Sequence, residues 1–299
     1  MKSPLEIAIE DFEAISKTKV VSISRLTGGT GNELFLINWN YVFRVKLDDE
    51  TDAKFNKPSN ELMIIQALNN DKHAPTPHVL AYDGRSGNKV EEYVHPRGPL
   101  VAEDSPSKTF QNCCDAIFAM HEFHASSGPF AFFDCHERFD FYRIASQKGV
   151  RTDYERQLRL AAEDIINRDK VVLCHNDLWE GNIILTEGPE KYCYLIDYEF
   201  AGNNGEIFDV ASLLEENEIP FEMCKRLINR YYGPQNVTGK TIANVFKVME
   251  YQDLFWYYWS YARYRETLKD EFLQISKVKF KRVERNIKKF IASCDDTDI

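Results

Sequence analysis

Apolar residues change their period along this chain, and the change divides it in two. Leu5, Ala8, Ile9, Phe12 and Ile15 recur at helical spacing, so the chain should open on an amphipathic helix. Strand-like segments follow at Val20–Leu26, Leu34–Ile37 and Tyr41–Val45, with turns at Thr27–Asn32 and Asn38–Asn40. Pro58 and Ser59 start a helix that runs to about Leu68, because proline is accommodated in a first helical turn. Val79–Tyr82 and Lys89–Val94 then form a hairpin across Asp83–Gly87.

Beyond His95–Pro99 the period becomes helical. Helices are predicted at Lys108–His124, Arg151–Asn167, Asp209–Glu216, Phe221–Tyr232 and from Thr241 to the C-terminus. Between them lie a buried strand, Val171–Cys174, and a hairpin of Ile183–Leu185 with Tyr192–Ile196 around Glu187–Pro189. The pattern predicts an α+β, bilobal molecule: a small β-rich lobe over residues 1–94 and a larger, mostly helical lobe over 95–299.

Composition narrows the function. With 299 residues, 43% of them hydrophobic, the chain can bury a large core. A net charge of −10 and no basic cluster argue against nucleic acid as a partner and suit a cationic small molecule. Seven cysteines without metal-ligand spacing read as reduced thiols. The N-terminus has no signal-like run, and the most apolar stretch, Leu254–Ala262, is too short to span a bilayer. A cytoplasmic protein without membrane insertion is the expectation; the oligomeric state is left open, a homodimer included.

The densest chemistry lies in His175-Asn176-Asp177-Leu178-Trp179-Glu180-Gly181-Asn182, followed by Asp197. An Asp, an Asn five residues on and a second Asp twenty residues on, all at strand ends, make a phosphoryl-transfer constellation. Asp177 would accept or orient the proton of an attacking hydroxyl. Asn182 and Asp197 would hold Mg2+, which favours oxygen ligands. Glu199 could assist through water, His175 would buttress the turn, and Asp209 would brace the loop by accepting backbone hydrogen bonds. Gly28, Gly29 and Gly31, with Asn32, stand where a flap over nucleotide phosphates would sit, although a plain β-turn explains them equally. Trp256 and Trp259 are three apart on a predicted helix and share a face. They can wall a cation or form part of a core stripe with Val245 and Met249.

With Cys174–Asn182, Leu195–Glu199, Phe208-Asp209, the segment Val90–Arg97 and the helix Phe255–Trp259, the chain resembles choline/ethanolamine kinases. These belong with the aminoglycoside-phosphotransferase-like enzymes on the protein-kinase-like fold. The resemblance implies that ATP is the donor, that Arg44 neutralises its phosphates, and that Glu61 steadies Arg44. It places the adenine edge against backbone groups of Glu92 and Val94. On the acceptor side it implies a cage of Trp256 and Trp259, a carboxylate from Glu216 (or Glu215) facing the cation, and an aromatic at Phe221. Two departures stand out: Ser276 falls nearest a position where a tyrosine is expected, and Trp179 replaces a small or polar residue. Trp179 is therefore expected to supply another wall of the cage. Phosphorylation of choline is the leading expectation and ethanolamine the second. An aminoglycoside- or thiamine-type kinase comes next, and a nucleotide-binding module without catalysis is the non-enzyme alternative.

Overall fold

The computed structural model describes residues 4–26, 32–47, 50–71, 74–96, 108–123, 129–186 and 193–295. Helix α1 (Pro4–Ser16) lies on an antiparallel sheet of β1 (Ile23–Arg25), β2 (Asn32–Ile37), β3 (Tyr41–Lys46), β4 (Val79–Tyr82) and β5 (Lys89–Glu92), in spatial order β1-β2-β3-β5-β4. The register explains the two faces. Phe35, Phe43 and Val90 are cross-strand partners in one row, and Phe12 of α1 packs on them with its ring 5.8 Å from Phe43. Burying such a side chain stabilises by roughly 1.5–3 kcal/mol. Because side chains alternate along a strand, the next row, Leu34–Arg44–Lys89, belongs to the other face. There Arg44 and Lys89 are both buried. The expected strand from Val20 shortens to three residues, and the glycine turn at 27–31 lies outside the described residues.

A short helix α2 (Glu50–Ala53), not foreseen, and α3 (Pro58–Asn69) lead from β3 to β4. The larger part comprises α4 (Lys108–Phe123), α5 (Cys135–Ser146), α6 (Thr152–Asn167), β6 (Val171–Cys174), β7 (Ile183–Leu185), β8 (Cys193–Leu195), β9 (Gly202–Gly205), α7 (Ile207–Glu216), α8 (Phe221–Tyr232), α9 (Gly239–Thr267) and α10 (Asp270–Asp295). β6 pairs with β9, and β7 with β8, both antiparallel; the turn of the second hairpin is outside the described residues.

Helix α9 is the axis of this part. A capping box of Thr238 and Thr241 starts it, and α5, α6, α7 and α10 pack around it. It is buried on every side from Tyr251 to Tyr258, as expected of a central helix. The predicted single helix from Thr241 to the C-terminus is corrected to two. Leu268 adopts a left-handed φ of 55° and ends α9, and Phe272 turns back to bury itself against Trp259 and Arg263. No helix of the described residues is long and apolar enough to cross a membrane. Among the described residues six cysteines are free and buried.

Candidate active site

The strand ends bring Asp177, Asn182 and Asp197 together. A 3-10 turn at Glu180–Asn182 swings Asn182 back, so its Nδ2 donates to the Asp177 carboxylate at 2.8 Å and to its carbonyl at 2.9 Å. The Asn182 amide oxygen is then the atom left to meet a cation. Ile196 N–H donates to the Asn182 carbonyl, and His175 Nε2 donates to the Ile196 carbonyl at 2.8 Å. That bond fixes the tautomer, and burial depresses the His175 pKa, so the ring is a neutral buttress rather than an acid.

Asp209 holds the loop from beneath. It accepts from the backbone N–H groups of His175 and Asn176, both at 2.7 Å, and from His121 Nε2 at 3.0 Å. Tyr231 in turn bonds the other nitrogen of His121. Asn176 has a φ of 65° and Asp197 one of 63°, conformations that short polar side chains tolerate best. Asn204 and Phe200 fasten the Asn176 amide.

Arg44 closes the site from above. Its guanidinium binds Glu61 through two parallel bonds of 2.8 Å, Asp197 Oδ1 at 2.8 Å and the Gly87 carbonyl at 2.8 Å. Gly87 has a φ of +78°, a conformation glycine adopts freely. Burial opposes the Glu61 charge, but Arg44 and Lys89 outweigh it and hold the carboxyl at about 2. Tyr82 also donates to Glu61. Lys46, which the sequence analysis did not single out, pairs with Glu199 at 3.1 Å; its place two residues after Arg44 on the same strand face was the available signal.

Burial and then the neighbouring charges of Glu216, Asp197 and Glu199 push the Asp177 pKa well up, while the Asn182 amide opposes them. Burial and Asp197 push Glu199 up to about 7. Crowded carboxylates of this kind, with an amide oxygen among them, are a donor set that fits a hard divalent cation.

On the nucleotide side, Asn32 is buried, and its Oδ1 has no partner among the described residues. Glu92 N–H is already committed to the His78 carbonyl, so only its carbonyl could face a base. Among the described residues the backbone of Val94 carries no hydrogen bond. Gly28 and Gly29 lie outside the described residues.

The expected acceptor residues do not all converge. The Trp256 and Trp259 rings are perpendicular with centroids 5.5 Å apart, and both make T-shaped contacts with Phe200, three residues after Asp197. Trp256 is only 4% exposed, and its indole N–H has no partner. Trp259 donates to Asp52 of α2 at 2.8 Å, a partner not foreseen. The Trp179 ring folds over Gly181, where a Cβ would overlap it, and makes no ring contact with either tryptophan among the described residues. Phe221 is 53% exposed and packs on Phe246, away from the pair. Glu216 is bound through both oxygens by Lys279, and Glu215 by Arg282. Ser276 is buried and bonds within its own helix.

A sheet-bearing lobe clamped by Arg44 onto Asp197, beside the loop of Asp177 and Asn182, defines a protein-kinase-like phosphotransferase. Residues 22–236 match the phosphotransferase enzyme family, and the chain belongs to it. It is similar to protein LicA of Haemophilus influenzae, at 23% identity over 78% of this chain and 71% of that one. It is also similar to probable choline kinase 2 of Arabidopsis thaliana, at 27% identity over 71% of this chain and 63% of the plant protein. The fold matches a choline/ethanolamine kinase family protein from Mesorhizobium loti with a TM-score of 0.76, 18% identity and 94% of each chain covered. It matches choline kinase LicA from Streptococcus pneumoniae with a TM-score of 0.70, 20% identity, 94% of this chain and 99% of that one. The chain is a phosphotransferase of the small-molecule kinase type.

Proposed function

We propose that the protein transfers the γ-phosphate of ATP, with Mg2+, to the hydroxyl of a small cationic amino alcohol, choline first. The observation that carries the reading is the Arg44–Glu61–Asp197 contact set, placed beside the Asp177–Asn182 loop by the bond from Ile196 N–H to the Asn182 carbonyl. Residues 1–94 would hold the nucleotide and 95–299 the acceptor. Arg44 and Lys46 would meet the phosphates, and Val94 and the Glu92 carbonyl the adenine edge. Magnesium held by Asn182 and Asp197 would draw negative charge off the phosphates. Asp177 would orient the acceptor hydroxyl in line and receive its proton, the Asn182 amide fixing the carboxylate. Most of the rate would come from positioning.

Choline is preferred because the Trp256–Trp259 pair offers aromatic faces near Phe200, and a methylated ammonium is held by ring quadrupoles rather than by hydrogen bonds. Ethanolamine is the second reading: the Glu216 carboxylate would suit its N–H donors if Lys279, which holds both its oxygens, were displaced. The names of the relatives agree with both. The test is ATP turnover with magnesium across choline, ethanolamine, thiamine and aminoglycosides. A kcat/KM for choline at least about tenfold above the others, roughly 1.4 kcal/mol in transition-state binding, supports the reading; an aminoglycoside as the best acceptor overturns it.

A further inference from the structure

The carboxylate expected to face the acceptor's cation is already held by a cation of this chain. Glu216 ends α7 beside the catalytic loop, because the next residue, Asn217, donates its amide to the Leu178 carbonyl at 3.0 Å. Leu178 directly follows Asp177. Electrostatics place Glu216 there too, since its charge is the strongest of those raising the Asp177 pKa. Yet both Glu216 oxygens are held by Lys279 of α10, at 2.5 and 2.6 Å, with both side chains largely buried.

The cation one helical turn on is already committed. Arg282 binds Glu215 at 2.6 Å and Glu218 at 2.7 Å, and lies 3.6 Å from Asp253. Glu216 and Lys279 therefore form a closed, neutral pair.

A quaternary ammonium has no N–H and feels a carboxylate only as a charge, whereas a lysine ammonium donates charge-assisted hydrogen bonds. At equal distance Lys279 wins, and an incoming cation meets a pair with no net charge.

We propose that Lys279 is a specificity-determining residue: its ammonium occupies Glu216 in competition with the cationic end of the acceptor, and so weakens the capture of quaternary ammonium alcohols. Affinity for such acceptors then rests on the tryptophan rings, and Glu216 contributes only when Lys279 is withdrawn. The inference rests on the cationic-acceptor reading above.

The test compares Lys279→Met, Lys279→Arg, Glu216→Gln and the Lys279→Met/Glu216→Gln double variant. Two readouts are used: the choline KM, and the dissociation constant of tetramethylammonium followed by tryptophan fluorescence with the nucleotide site filled. Lys279→Met should bind tetramethylammonium about tenfold more tightly, a factor typical of one recovered ionic contact. Lys279→Arg should resemble the parent. Glu216→Gln should change binding less than about twofold in the parent but erase the gain in the Lys279→Met background, a dependence only a competing pair produces. Should Lys279→Met fail to fold, Lys279→Gln, which keeps an N–H donor on Glu216 without the charge, carries the same expectation.

Unchanged or weaker binding in the charge-removing variant overturns the inference, including the case in which neither protein binds tetramethylammonium. A tenfold loss from Glu216→Gln in the parent also overturns it, since the carboxylate would then already be reading the ligand. Turnover is scored separately: no phosphorylation of choline or ethanolamine by any variant defeats the proposed function, while the binding arm still decides the role of Lys279.

Discussion

Arg44 Nη1 lies 2.8 Å from Asp197 Oδ1 and 2.8 Å from Glu61 Oε1, so one nitrogen of a buried guanidinium ties β3 and α3 to a magnesium-ligand candidate 153 residues further along the chain. A lysine ammonium has the charge but not the planar fork needed for the two parallel bonds to Glu61 together with those to Asp197 and Gly87. Arg44→Lys is expected to fold and to weaken ATP binding, by about tenfold or more, as measured by titration calorimetry. Arg44→Met should cost about 3–5 kcal/mol of stability, because it leaves Glu61 buried and unpaired; denaturant unfolding checks this.

The same pair sets an acid limit. The Glu61 carboxyl sits at about 2 in the folded protein, against an ordinary glutamate value of 4.5. A depressed folded value means that the contribution is complete above the ordinary value and is lost as pH falls toward 2. Unfolding free energy measured from pH 6 to pH 2.5 should therefore decline, and Glu61→Gln should flatten that decline.

Asp177→Asn keeps the shape of the proposed catalytic carboxylate and removes its basicity. Turnover should fall by about 10²–10⁴-fold, with nucleotide affinity unchanged in an equilibrium titration. Retained turnover would remove Asp177 from the proton-accepting role.

Asp209 reaches the chemistry only through backbone N–H groups. Asp209→Ala leaves the His175 and Asn176 N–H groups and His121 without their acceptor, each buried donor costing about 1–3 kcal/mol. We expect a lowered Tm and a reduced kcat with little change in KM for either substrate. A change confined to KM would show that the loop geometry does not depend on Asp209.

Gly181 gives direct access to the question of Trp179. A methyl group there overlaps the Trp179 ring, so Gly181→Ala must push the indole aside without altering its chemistry. If Trp179 walls the acceptor pocket, the choline KM should rise about fivefold or more, the size of one lost cation–π contact, while ATP affinity stays constant. An unchanged KM in both Gly181→Ala and Trp179→Ala removes Trp179 from the acceptor site.

Much of this layout is legible in the sequence because it is local. Spacing identifies Asp177, Asn182 and Asp197, and period alone separates the strands of the first part from the helices of the second. Other elements depend on context. Helix α5 carried a usable signal, Asp134 three residues before Glu137, and Asp134 does cap it. Strand β9 is Gly202-Asn203-Asn204-Gly205, with no β-forming residue, and exists because β6 supplies its hydrogen bonds. The break at Leu268 has neither glycine nor proline to announce it. Lys279 and Asp52 become visible only when α10 and α2 are packed against their partners, which no local pattern encodes.

The tryptophan pair belongs to the helix around which the larger part of the molecule is packed. A substitution at Trp256 is therefore a change to the scaffold as well as to the proposed acceptor pocket, and selection for a new acceptor there would meet misfolding before it met a new specificity. Helix α10 packs against the same helix from outside, where Phe272 meets Trp259, and its Lys279 binds Glu216. Adaptation to different alcohols should accumulate on α10, leaving α9 nearly fixed, so that laboratory evolution of this enzyme would do best to randomise the outer helix and spare the inner one.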